Sequence, residues 1–143
     1  VFKQTYEGNM KGILKSIVAV LAGFIFIGIT HTSTDAILES AGVLPKGNLF
    51  VEAWLILFVI GYRAVFSIAG CYISAWLAPN YPMRHSLALG VLGTIFSSIG
   101  AITMGNLGPA WYAWTLAAIS IPIGWLGGKL YELRLQKNRT AIE

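Results

Sequence analysis

Four apolar stretches, each near the roughly 20 residues that a helix needs to cross a bilayer, occupy almost the whole chain. They fall at about 12–38, 51–78, 85–105 and 109–133, within a chain of only 143 residues. No room remains for a soluble catalytic domain or a nucleotide-binding unit. Charged residues make up 11% of the sequence, against about 25% in an ordinary soluble domain. The expected class is therefore an all-α polytopic membrane protein, with four transmembrane helices in an up-down bundle. Residues 10–134 form this domain and 135–143 a basic cytoplasmic tail. Residues 1–9, ahead of Met10, read as an extension, native or appended. The run Met10-Lys11-Gly12-Ile13-Leu14-Lys15 also resembles the start of a signal peptide, but no small-residue cleavage site follows Gly28. An uncleaved first helix is the better reading.

The basic residues orient the bundle. With four alternating helices, Lys3, Lys11, Lys15, Arg84, Lys129, Arg134, Lys137 and Arg139 share one side, and the other side holds only Lys46 outside the spans. The positive-inside rule then places both termini in the cytoplasm. Trp54, Trp111, Tyr112 and Trp114 fall at the expected outer boundary, and Trp76, Tyr81, Trp125 and Tyr131 at the inner one, as interfacial rings should. The net charge of +4 is explained by these flanks, so nucleic acid is not an expected partner. The bilayer is. Cys71 is alone, which excludes an intrachain disulfide.

Within the second stretch stands Arg63. A guanidinium stays charged and is costly in hydrocarbon, so it must face a protein interior, a wet cavity or an anionic partner. If the first helix continues past Thr30, His31, Asp35 and Glu39 share one face at one-turn spacing. Counting along the helices brings His31 level with Arg63 and Asp35 about one turn above, within reach. Glu52, eleven residues before Arg63, lies on the same face of the second helix, nearer water. This cluster is an ion bridge fixing two helices, the wall of a vestibule for a small ligand, ion or lipid head group, or a contact of Arg63 with another protein. A metal site is not expected, because single ligands one turn apart on one helix cannot close a zinc shell. No nucleophile motif, metalloprotease motif or phosphate loop is present, and no cofactor is expected.

Small residues carry the packing pattern. Gly93, Ser97, Ala101 and Gly105 repeat every fourth position, beside Ser86, Gly90, Thr94 and Ser98, and Ser120, Gly124 and Gly128 do the same in the fourth helix. Such stripes let helices approach closely, within one bundle or between copies.

The segments Asn106-Leu107-Gly108-Pro109-Ala110-Trp111-Tyr112, Ile121-Pro122-Ile123-Gly124-Trp125-Leu126-Gly127-Gly128, Gly61-Tyr62-Arg63 and Pro82-Met83-Arg84-His85 resemble a family of small, uncharacterised bacterial four-helix membrane proteins. That resemblance implies four helices in a bacterial inner membrane and carries no activity with it. The leading functional expectation is a non-enzymatic subunit of a membrane complex, locked by Arg63 and an acid. Two alternatives stay open: an oligomeric transporter or channel with an outer polar vestibule, and an intramembrane lipid-binding protein or enzyme.

Overall fold

The computed structural model describes the backbone of residues 2–141 and the side chains of residues 8–141. Val1, the side chains of residues 2–7 with Lys3 among them, and residues 142–143 lie outside that description. Among the described residues there are four helices, α1 (Phe2–Ser40), α2 (Ala53–Leu77), α3 (Pro82–Thr103) and α4 (Ala110–Thr140). Three are long and apolar enough to cross a membrane, over Gly8–Ser40, Ala53–Leu77 and Pro82–Thr103. Helix α4 is less apolar, because Trp111, Tyr112, Trp114, Pro122 and the glycines 124, 127 and 128 dilute its aliphatic residues.

The ends follow local chemistry. Gly42 adopts a left-handed φ of 76°, and the Val43 N–H turns back to the Leu38 carbonyl at 2.9 Å, closing α1 as glycine after a helix commonly does. Pro82 occupies the first turn of α3, where a missing N–H costs nothing, and so starts that helix ahead of the expected residue 85. Two boundaries depart further from expectation. Helix α1 begins at Phe2 instead of near residue 12, and α4 continues past its apolar span, expected to end near 133, to Thr140. The segment expected as a basic tail is thus helical as far as it is described. Arg134 donates to the Tyr72 hydroxyl at 2.8 Å, and Tyr72 meets Tyr131 edge-on, so α2 supports the start of this extension.

Contacts fix the directions of the helices. His31 lies against Arg63, and Gly23 against Gly70 and Ser74, so α1 and α2 are antiparallel. Ser86 meets Gly124 and Thr94 meets Ala117, so α3 and α4 are antiparallel too. Helices α2 and α4 run parallel, since Cys71 packs on Gly127 and Tyr72 on Tyr131. The chain goes up, down, up and down. Among the described residues, α2 touches each of the other helices, whereas α1 and α4 do not meet.

Close packing concentrates at the basic end and the middle. A Cβ on Gly124 would sit 2.9 Å from the Ser86 carbonyl oxygen, and one on Gly90 2.8 Å from that of Ser120. Gly128 faces Met83 and Ser86, and Gly127 presses on Cys71 and the Ile68 carbonyl. The buried core is correspondingly narrow, with Ala19, Ile56, Val59, Cys71, Ala75 and Leu89 as its main apolar members. Large side chains such as Ile29, Leu57, Val65 and Trp125 point outward, as a surface solvated by lipid requires.

Candidate functional site

At the opposite end from the basic flanks, the last turns of α1 meet the first half of α2. Asp35 pairs there with the Arg63 guanidinium through Oδ2, and the Tyr62 hydroxyl donates to Oδ1. Both carboxylate oxygens are thereby engaged and the charge of Arg63 is matched. His31 lies one turn below Asp35. Its Nε2 is 3.0 Å from the Arg63 carbonyl oxygen, which can only accept, so this nitrogen carries the proton. The Ser67 Oγ, 3.4 Å away, sits at the edge of reach of the same hydrogen. Five polar side chains of two helices, Asp35, Arg63, Tyr62, His31 and Ser67, thus form one group, which His31 joins through the Arg63 main-chain carbonyl.

Above this group lies a cavity of about 470 Å³, bounded by α1, α2, α3, α4 and both loops at that end. The loop of residues 41–52 folds over it. Leu44 is buried against Leu55 and Val59, and the Leu49 N–H donates to the Leu107 carbonyl at 2.6 Å, tying this loop to the α3–α4 turn. A second cavity of about 180 Å³ lies deeper, lined by His31, Ser67, Cys71 and Ser120. Arg63, Phe96, Ser97 and Leu116 line both. The Arg63 Nε and the Tyr112 hydroxyl are buried without a hydrogen-bond partner among the described residues.

The residues singled out in the sequence divide. Arg63, Asp35 and His31 come together, and Glu39, one turn beyond Asp35, lines the larger cavity without an ion-pair or hydrogen-bond partner among the described residues. Glu52 does not join them: it precedes the first residue of α2, is exposed, and accepts from the Trp54 indole at 2.7 Å. The chain is extended at that residue, with ψ of 145°, so the helical phase that would align it with Arg63 does not apply. The small-residue stripe of α3 divides as well. Gly93 abuts Ser120, but Ser97, Ala101 and Gly105 line the cavity instead of a helix contact. In α4, Gly124 and Gly128 do pack closely on α3.

Tyr62 and Tyr112 were not singled out for the cluster. The sequence pattern places Tyr112 in the interfacial belt, whereas its side chain lines the cavity. For Tyr62 a signal was available, since the residue before a membrane arginine can reach the same carboxylate from the adjoining face. Among the described residues no group of three or more His, Cys, Asp or Glu side chains is arranged to hold a metal ion. No family model, curated protein or solved structure matches the chain.

Proposed function

We propose that this is a non-enzymatic integral membrane protein of four transmembrane helices, both termini cytoplasmic, whose outer cavity binds a small amphiphilic molecule. The observation that carries the reading is the cavity itself. Its volume of about 470 Å³ lies within the roughly 300–1,000 Å³ of small-molecule sites, and its walls are mainly apolar with a few convergent polar groups, as such sites require. The bridge between Asp35 and Arg63 fastens α1 to α2 and forms one side of the wall. Orientation rests on charge: Lys11, Lys15, Arg84, Lys129, Arg134, Lys137 and Arg139 gather toward one end of the bundle and the cavity opens at the other. The resemblance of the Asn106–Tyr112 and Ile121–Gly128 segments favours a bacterial cytoplasmic membrane.

A second reading, an accessory subunit, is favoured by α1. Among the described residues this helix has no contact with α4, and it exposes Ile13, Leu14, Ile17, Val18, Leu21 and Ile25, a face that a partner helix or a second copy would cover as well as lipid. Transport finds less support, because Ser86 against Gly124 and Cys71 against Gly127 fill the bundle at the basic end and leave a single copy no path.

Native mass spectrometry of protein extracted gently from its own membrane tests both. The expected spectrum carries an added small-molecule mass that is lost in Ala101→Leu, whose larger side chain enters the cavity. A stoichiometric foreign polypeptide on a ligand-free protein would transfer the reading to the accessory subunit. A bare single chain would overturn both.

A further inference from the structure

The charge balance of the larger cavity says more than its volume. Three charged side chains line it, Arg63, Asp35 and Glu39. Arg63 and Asp35 cancel one another in their ion pair, and Tyr62 occupies the remaining oxygen of Asp35. Glu39 is left over. Its carboxylate lines a largely apolar wall and has no ion-pair partner among the described residues, and Lys46, although carried on the covering loop, is exposed and is not part of the wall. Glu39 is half-buried in this wall, so a cation entering the apolar space beside it would gain a counter-charge that it would otherwise lack away from water. Phe96 and Tyr112 stand in the same wall, and aromatic rings attract cations and not anions at their faces. An anion would meet two carboxylates one helical turn apart and a guanidinium whose charge Asp35 already balances, with only the Arg63 Nε–H and the Tyr112 hydroxyl, which have no partner among the described residues, to receive it.

We propose that the occupant is a lipophilic cation, an amine or an onium compound whose charge is balanced by Glu39 and whose apolar body fills the space between α3 and the 41–52 loop. This rests on the reading of the cavity as a binding site. Either a free compound or the ammonium of an aminolipid head group supplies the chemistry.

Two probes of nearly equal size and shape and opposite charge, tetraphenylphosphonium and tetraphenylborate, separate charge from apolar fit. Binding is measured by equilibrium dialysis on the full chain in a non-ionic maltoside detergent. The expected result is saturable binding of the phosphonium at least ten-fold tighter than the borate, with Glu39→Gln removing the preference and Glu132→Gln, at the far end of the bundle, retaining it. Competition by a short-chain phosphatidylethanolamine would assign the site to an aminolipid, and its absence to a free cation; either keeps the proposal. Saturable binding of both probes with equal or reversed preference overturns the cation assignment while leaving a binding site. A phosphonium preference that survives Glu39→Gln overturns it as well. No saturable binding of either probe overturns the binding reading itself.

Discussion

Ser86 Oγ lies 2.6 Å from the carbonyl oxygen of Gly124, and nothing of Ser86 reaches the surface. The hydroxyl donates across the α3–α4 contact because Gly124 has no side chain to hold the backbones apart. A Cβ at Gly124 would meet the Ser86 carbonyl oxygen at 2.9 Å and the Gly90 Cα at 3.1 Å, both backbone atoms that cannot swing aside. Gly124→Ala should therefore destabilise the protein by about 1–3 kcal/mol, the usual cost of overpacking. Gly28→Ala, where nothing lies within 4 Å, should be neutral or stabilising by up to about 1 kcal/mol through helix propensity. Thermal unfolding in detergent compares the two directly, and equal melting temperatures would refute the close contact.

Arg63→Ala leaves the Asp35 carboxylate without its counter-charge, and breaking such a pair from one side costs about 3–5 kcal/mol when it is buried. Here the side chains keep 22% and 27% of their surface exposed, so a loss at or below the lower end is expected. Asp35→Ala should behave alike, and the double variant should melt above either single one. Strict additivity of the two losses would show that the ion pair does not couple α1 to α2.

Cys71 is buried beneath Gly127, with its Cβ 2.5 Å from where a Gly127 Cβ would stand. Labelling of the native thiol by a maleimide should be slow in the folded protein and limited by opening of the α2–α4 contact. Gly127→Ala should accelerate it at least ten-fold. Rapid labelling of the parent protein would contradict the burial of this face.

Low reactivity of Cys71 also makes single-cysteine mapping of the termini practical. Lys46→Cys should react with a membrane-impermeant maleimide added to intact spheroplasts, and Asn138→Cys only after lysis. The reverse pattern would invert the proposed orientation, and labelling of both from outside would remove α4 from the set of spanning helices.

Much of the helical layout was legible because hydropathy and length constrain an apolar chain strongly, and antiparallel counting from the basic ends sets His31, Asp35 and Arg63 near one height. What single-helix reasoning lacks is the rotation of each helix about its axis and the path of the loops. Ser97, Ala101 and Gly105 have the spacing of a packing stripe, yet no helix comes to fill the space in front of them, since the 41–52 loop closes over it and leaves a cavity. Gly127 was passed over in favour of Gly124 and Gly128 because a four-residue stripe marks one face, and α4 uses two, one for α3 and one for α2. Hydropathy falls beyond residue 133, yet the leucines alternating with charges from Lys129 to Arg139 read as a continuation of the fourth helix, and α4 runs on to Thr140.

The bridge between Asp35 and Arg63 also bears on how such a chain enters its membrane. An isolated α2 would carry an arginine into the lipid, at about 2.5–3.5 kcal/mol on insertion scales. Synthesis proceeds from the N-terminus, and Asp35 leaves the ribosome 28 residues ahead of Arg63. By the time the arginine emerges, its counter-ion is waiting at the translocon. The first two helices can then partition together as a hairpin with no net charge at that level, and assembly of the bundle can begin before α4 has emerged.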